Sequence, residues 1–133
     1  MARRPRRILV VDDIADWRKT LSKLLTCEGY QVQEAESVDS ALAALEACSF
    51  DLAMVDVRLD DADESNEQGL ELAGIIKRDW PTVKVVIVTG YPTLDTVNRA
   101  LRPMLAGSKL ADGYIEKNNL AELPQFLEHV FET

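Results

Sequence analysis

Basic residues are scarce in this chain relative to acidic residues. The 133 residues include 15 Lys and Arg but 23 Asp and Glu, which gives a formal net charge of -8 at pH 7. A surface with that charge repels nucleic acid over most of its area. We therefore do not expect the chain itself to bind DNA or RNA.

Long apolar runs, cysteine and histidine are also rare. No stretch approaches the roughly 18 consecutive apolar residues that a membrane helix requires, so no membrane contact is expected. The two cysteines, Cys27 and Cys48, provide neither a disulfide framework nor the spacing of a zinc site, and this favours a reducing cytoplasm. The single histidine, His129, lies near the end of a predicted helix, where the helix dipole accounts for it better than a phosphocarrier role.

The length of the chain fits one globular domain. Four arginines near its start, interrupted by Pro5, form a short basic arm, and no apolar signal-peptide segment follows them. We interpret residues 1–6 as this solvated arm and residues 7–133 as the domain.

Apolar runs with the length of strands alternate with segments of helical period. This alternation predicts an α/β fold, with a parallel sheet covered by helices on both faces. Five strands are predicted, at residues 8–12, 30–35, 52–56, 83–88 and 113–116. The third and fourth strands show no polar alternation, so both of their faces should be buried and both should be central in the sheet.

The helical spacing of apolar residues predicts the helices between these strands. The first helix includes residues 14–25 and is followed by Gly29, which can cap it in the left-handed conformation. The second and third helices include residues 38–45 and 72–76, and the third should end before Trp80. The last helix runs from about residue 119 to residue 131, with Pro124 near its first turn.

The fourth crossover carries conflicting signals for helix and loop. Apolar residues have helical spacing over residues 94–101, but Pro103 should end or kink a helix there. Gly107 and Ser108 follow, so the second half of this crossover is a candidate loop.

Polar and charged residues stand at the carboxyl ends of four predicted strands. They are Asp12 and Asp13 after the first strand, Asp56 at the end of the third, Thr89 and Gly90 after the fourth, and Lys117 after the fifth. Because the carboxyl ends of parallel strands share one edge of the sheet, these groups should converge. Two carboxylates about 4 Å apart repel by roughly 4 kcal/mol at an effective dielectric constant near 20. One ammonium cannot balance three carboxylates, whereas a hard divalent cation such as Mg²⁺ can.

A carboxylate beside such a cation can attack an incoming phosphoryl group. The cation and Lys117 would stabilise charge on the transferring oxygens, and Thr89 with the N–H of Gly90 could donate hydrogen bonds to them afterwards. The residues alone thus indicate phosphoryl chemistry at this edge of the sheet.

Four segments carry a resemblance to a known family. They are Ile8-Leu-Val-Val-Asp-Asp13, Leu52-Ala-Met-Val-Asp56, Val86-Ile-Val-Thr-Gly90 and Gly113-Tyr-Ile-Glu-Lys117. Through them the sequence resembles bacterial response-regulator receiver domains over nearly its whole length. The resemblance implies that residues 7–133 form a receiver domain with a flavodoxin-like, doubly wound sheet of strand order 2-1-3-4-5.

The resemblance also implies roles for individual residues. Asp56 would be the phosphoacceptor, and Asp13 and Asp12 the metal-binding acidic pair, with Asp13 as the direct ligand and Asp12 acting largely through water. The backbone carbonyl of Arg58 would be a further metal ligand, and Lys117 would contact the phosphoryl oxygens.

The output side of the site follows from the same resemblance. Thr89 would couple to Tyr114 as the switch. An equally good interpretation of Tyr114 is a half-buried aromatic residue without a role in signalling. Arg58 and Tyr91 flank the expected phosphoryl group, where they could tune the access of water or simply lie on the surface.

The implied function is a phosphorylation-dependent signalling switch of a two-component system or phosphorelay. A histidine kinase or a histidine phosphotransfer protein would supply the phosphoryl group, with Mg²⁺ as cofactor and Mn²⁺ as a substitute. The chain would catalyse only its own phosphorylation and slow hydrolysis, so it is not an enzyme towards other substrates. A homodimer is compatible with the family.

Three features depart from the family pattern. Asn118 stands where the family usually has a proline, so the loop that directs Lys117 is less constrained. The loop at 57–68 is longer and more acidic than usual, which should disfavour the gain of a phosphate but could attract cations or a partner. The segment around 102–110 is also longer than usual, so the family's dimer mode cannot be transferred.

These departures keep alternatives open. The main alternative is a pseudo-receiver, an interaction module that binds partners without phosphorylation. A phosphatase of the haloacid-dehalogenase type is disfavoured because Arg58 stands where that family has its second aspartate. A dinucleotide-binding fold is disfavoured because no Gly-x-Gly-x-x-Gly turn follows the first strand.

Overall fold

The computed structural model describes residues 5–56, 68–89, 112–116 and 121–132. In these ranges the chain forms five strands and four helices, in the order β1 (Arg7–Val11), α1 (Ala15–Cys27), β2 (Gln31–Ala35), α2 (Val38–Ala47), β3 (Leu52–Asp56), α3 (Gln68–Asp79), β4 (Lys84–Thr89), β5 (Gly113–Glu116) and α4 (Leu123–Glu132). Each strand lies within one residue of its predicted bounds.

The five strands form one parallel sheet in the order β2-β1-β3-β4-β5. This confirms the α/β fold class and the strand order. All five residues of β3 are buried, and β4 lies between β3 and β5. The prediction that the two continuously apolar strands are internal is therefore confirmed, because only a strand covered on both faces needs no polar alternation.

Helices cover both faces of the sheet and bury a separate apolar cluster on each. One cluster contains Leu9, Val55 and Ile87 from the strands, with side chains from α2 and α3. The other contains Ile8 and Met54, with side chains from α1 and α4. Successive strand residues alternate between the two clusters, as the two-residue period of a strand requires.

The helix boundaries follow from local sequence signals. Gly29 has a φ of 94°, in the left-handed region that glycine adopts without steric cost, which confirms its predicted place after α1. Ser37 and Ser40 form a reciprocal capping box at the start of α2. Helix α3 ends at Asp79, immediately before Trp80, as predicted.

Two other helix predictions are only partly covered by the structure. Helix α4 begins at Leu123 after a 3₁₀ turn, so Pro124 is its second residue, where a missing N–H is tolerated. The predicted start near residue 119 and the fourth crossover, with the residues around 94–110, lie outside the described residues.

Two aspartates extend the hydrogen bonding of the sheet at the edge opposite the predicted site. Asp51, just before β3, accepts a hydrogen bond through Oδ2 from the N–H of Arg7 at 2.8 Å. Asp112, just before β5, accepts one through Oδ2 from the N–H of Val85 at 2.8 Å and forms an ion pair with Lys77. These carboxylates satisfy strand N–H groups where the ladder begins, a role that the sequence analysis did not identify.

Substitution of Gly113 by alanine is expected to lower the free energy of unfolding by about 1–3 kcal/mol, the usual cost of overpacking a core. A Cβ atom at this position would lie 2.7 Å from Cζ of Phe126 and 3.3 Å from Cγ2 of Val130, so the Phe126 ring or α4 itself would have to shift. Urea unfolding measures the loss. Phe126→Leu should restore part of it in the double variant, and equal stability of Gly113→Ala and wild type would contradict this packing.

Candidate functional site

Three carboxylates meet at the carboxyl edge of the sheet. Asp12, Asp13 and Asp56 each offer an oxygen atom, and these oxygens all lie within 4.8 Å of one another. Asp12 and Asp13 follow β1 and Asp56 ends β3, and these two strands are paired neighbours. The predicted convergence of these three residues is confirmed, since parallel neighbours end at the same edge.

The three residues differ in their exposure to solvent. Asp12 is fully buried, Asp56 is 6% exposed, and Asp13 is half-buried. Buried carboxylates repel each other more strongly than exposed ones, because the surrounding dielectric constant is lower. The burial therefore increases the need for a counter-charge at this edge.

Asp12 is held in place through its main chain and its side chain. Its N–H donates to the carbonyl of Ala35 at 3.1 Å, and its Oδ1 accepts from the N–H of Ile14 at 2.9 Å. The N-cap residue of α1 is Ile14, which makes no side-chain cap. The Asp12 carboxylate therefore accepts a hydrogen bond from the N-cap residue itself, just before the helix begins. Its carboxylate orientation is thus fixed by the turn into α1.

Arg18 is a residue of this region that the sequence analysis missed. Its Nη1 donates to the backbone carbonyl of Asp12 at 2.9 Å, and its Nε pairs with Oε1 of Glu34 at 3.2 Å. The Arg18 side chain is only 15% exposed. The only sequence signal was a basic residue at the end of the first turn of the helix that follows the acidic pair.

The donor set of the carboxylate site fits Mg²⁺. Its ligand atoms are carboxylate oxygens, which hard cations prefer, without the nitrogen or sulfur donors that favour zinc. Three such groups form an incomplete cage, which suits an ion that retains several waters. This part of the chain can therefore hold a hard divalent cation.

The remaining predicted site residues are only partly covered. Thr89 is the last residue of β4, in register with Glu116 of β5, but its side chain is not among the described ones. The other four predicted positions, with the departure at Asn118, lie outside the described residues: Arg58, Gly90, Tyr91 and Lys117.

Tyr114 lies on β5 and packs against the cluster that α2 and α3 cover. Its hydroxyl oxygen is buried and makes no hydrogen bond within the described part of the chain. Burial, and to a lesser degree the nearby carboxylate of Glu116, raise the pKa of the Tyr114 phenol above its ordinary value. The structure thus places the ring of Tyr114 half-buried on one face of the sheet.

Tyr114 is expected to ionise later in an alkaline titration than an exposed tyrosine, whose pKa is about 10. Since the folded-state pKa is raised, its contribution to stability is present below pH about 10 and is lost as pH rises through the folded value. Tyr114→Phe should remove one late-ionising phenol from the ultraviolet titration and reduce the loss of stability above that pH. Loss of an early-ionising phenol in Tyr114→Phe, with the late part of the titration curve unchanged, would contradict the assignment.

Comparison with known proteins agrees with this fold. The family model of the response regulator receiver domain matches residues 8–128. The chain therefore belongs to the response-regulator receiver domain family. None of the helices in the described ranges is both long and apolar enough to cross a membrane.

The curated relatives are regulatory proteins by name. The nitrogen assimilation regulatory protein NtrX of Azorhizobium caulinodans is 37% identical over 95 residues, which are 71% of this chain and 20% of that protein. The photosynthetic apparatus regulatory protein RegA of Cereibacter sphaeroides is 30% identical over 97 residues, 73% of this chain and 50% of that protein. The chain thus spans between a fifth and a half of the length of these relatives.

Solved structures of the family share the fold. A CheY-like response regulator receiver domain protein from Methanospirillum hungatei matches with a TM-score of 0.81 and 32% identity, over 97% of this chain and 95% of that chain. The response regulator TrrA from Thermotoga maritima, in complex with Mg²⁺ and BeF, matches with a TM-score of 0.72 and 30% identity, over 94% and 98% of the two chains.

Proposed function

We propose that this receiver domain is a phosphorylation-dependent switch in which Asp56 accepts the phosphoryl group. The observation that carries the proposal is the convergence of the Asp12, Asp13 and Asp56 carboxylates within 4.8 Å at the carboxyl edge of the sheet. The donor would be the phosphohistidine of a histidine kinase or of a histidine phosphotransfer protein, and the setting would be the cytoplasm.

The carboxylate of Asp56 would attack the phosphorus atom. The P–N bond to the donor imidazole would break, and its electron pair would leave with the imidazole nitrogen, so that an acyl phosphate forms on Asp56. Asp56 ends a fully buried strand, which fixes its main chain, and its exposure of 6% limits access of water. A fixed nucleophile lowers the entropic part of the barrier.

Asp12, Asp13 and Asp56 would hold Mg²⁺, with the carbonyl of Arg58 as a further ligand and Mn²⁺ as a substitute. When bound, the ion would neutralise the clustered carboxylates and the charge on the transferring oxygens. Lys117 would contact those oxygens from the end of β5, and Thr89 with the N–H of Gly90 would donate to them, while Arg58 and Tyr91 would tune the approach of water.

The signal would leave the site through Thr89 and Tyr114. Movement of the Thr89 hydroxyl towards the phosphoryl group would vacate space that the Tyr114 ring then occupies. A shift from 1% to 99% of the active state needs roughly 5.5 kcal/mol of differential binding, which exceeds the contribution of one hydrogen bond. Lys117 and the metal ion must therefore contribute to the switch.

The comparisons support a regulatory setting. The longer relatives include an NtrC described as a DNA-binding transcriptional regulator, and TrrA was crystallised with Mg²⁺ and BeF. In this chain, the output partner would be another protein or another domain, because its own charge disfavours nucleic acid. Receiver-type homodimers are compatible with this proposal.

Incubation with a small radiolabelled phosphodonor tests the function. Wild type should gain an acid-stable, base-labile label that depends on Mg²⁺, and Asp56→Asn should gain none because its amide cannot act as the nucleophile. Asp39→Asn, at an exposed aspartate in α2, is the matched control and should label like wild type. Folded wild type without label would favour the pseudo-receiver alternative, for which Asn118 and the acidic loop at 57–68 are the specific observations.

A further inference from the structure

We propose that Arg18 is a positioning residue for the carboxylate site, which it serves by fixing the main chain at Asp12. The inference rests on the proposed function, because the site that Arg18 would tune is the cation site of that function. Arg18 donates to the backbone carbonyl of Asp12, so it would act on the site carboxylates through the main chain.

The guanidinium of Arg18 joins three elements of the fold. Its Nη1 donates to the carbonyl of Asp12, directly after β1, and its Nε pairs with Glu34 on β2. Arg18 itself lies in α1, and its backbone N–H donates to the carbonyl of Ile14 at 3.0 Å. The planar fork of an arginine can serve two acceptors at fixed angles, which a lysine ammonium on a flexible stem cannot do equally well.

The hydrogen bond from Arg18 fixes the main chain at Asp12, where the direction of the main chain determines where two site carboxylates point. Asp12 and Asp13 are consecutive, so a rotation of the main chain at Asp12 would turn both carboxylates away from Asp56. The N–H of Asp12 is anchored on Ala35 and its Oδ1 on Ile14, and Arg18 secures the remaining main-chain group, the carbonyl oxygen. Residues that orient metal ligands commonly affect metal affinity by about 10- to 100-fold.

Charge and position have opposite effects on cation binding, and this makes the inference testable. If Arg18 acted only through its positive charge, its removal would make the site more negative and would tighten Mg²⁺ binding. If Arg18 acts by positioning, its removal should weaken Mg²⁺ binding. The sign of the change therefore distinguishes the two roles.

The experiment is a calorimetric titration of the whole chain with Mg²⁺ at constant ionic strength. Arg18→Gln should raise the Kd for Mg²⁺ by about tenfold, and Arg18→Lys should fall between this variant and wild type because it retains one donor. Arg78→Gln is the matched control, since Arg78 is 71% exposed and pairs only with its neighbour Asp79 in the described contacts. Its Kd should equal that of wild type.

The outcomes separate this inference from the proposed function. If wild type binds Mg²⁺ and Arg18→Gln binds it with an equal or lower Kd, the positioning role alone is overturned. A lower melting temperature of Arg18→Gln with an unchanged Kd would also overturn it, because a purely structural contact has that effect. Failure of wild type to bind Mg²⁺ would overturn the metal part of the proposed function together with this inference. If Arg18→Gln does not fold, Arg18→Lys decides, and a Kd equal to that of wild type counts against the role.

Discussion

Saturating Mg²⁺ is expected to raise the melting temperature of the chain by about 10 °C. A ligand that binds only the folded state at about 100 times its Kd stabilises that state by roughly 2.7 kcal/mol, which corresponds to a shift of this size in a chain of this length. The physical cause is the cluster of three carboxylates, two of them buried, within 4.8 Å of one another. Thermal unfolding followed by circular dichroism over a Mg²⁺ series measures the shift.

Asp13→Asn should remove most of this Mg²⁺ response. The substitution also removes one of the mutually repelling charges, so without metal the variant should melt at or above the temperature of wild type. Asp39→Asn, at an exposed position in α2, should keep the full response. If the melting temperature of wild type stays constant over the whole Mg²⁺ series, the carboxylates do not bind the ion.

Asp112→Ala should lower the free energy of unfolding by about 2–3 kcal/mol, because it leaves a buried donor and a cation without their acceptor. The Asp112 carboxylate accepts from the N–H of Val85, a fully buried residue, and pairs with Lys77, whose side chain is 14% exposed. Asp112→Asn should cost less, since its amide oxygen can still accept from Val85.

Urea unfolding of Asp112→Ala and its controls measures this loss. Asp79→Ala removes a carboxylate that pairs with Arg78 at the surface, where ion pairs contribute little, and should leave the unfolding midpoint unchanged. A midpoint of Asp112→Ala equal to that of wild type would mean that water replaces the carboxylate without loss, and that β5 does not depend on this bond.

The parts of the fold that depend on regular patterns could be predicted from the sequence. The apolar runs in β3 and β4 determined that both strands are internal, because a strand with one solvated face would show alternation. Gly29 marked the end of α1 because its left-handed φ is rarely adopted by other residues. The convergence of Asp12, Asp13 and Asp56 followed from the parallel order of the strands, which places all their carboxyl ends together.

The contacts that depend on individual side chains could not be predicted. Arg18 contacts the carbonyl of Asp12 on the other side of a turn and pairs with Glu34 on β2. The direction of such a long side chain is not encoded in any periodic pattern of the sequence. Asp112 resembled an ordinary loop aspartate, since its partner Val85 is 27 residues away in the sequence. Strand order also needed the family resemblance, because alternating strands and helices are compatible with several parallel orders.

Reduction of the phosphorylated chain with borohydride, followed by peptide mass spectrometry, tests the central proposal most directly. Borohydride converts an aspartyl phosphate, but not a free carboxylate, into homoserine, so the modified residue is identified by its change in mass. We expect homoserine at position 56 after incubation with a small phosphodonor and Mg²⁺, and aspartate there when Mg²⁺ is omitted. Homoserine at another aspartate, or an unreduced Asp56 in a folded chain with Mg²⁺ and phosphodonor present, would contradict it.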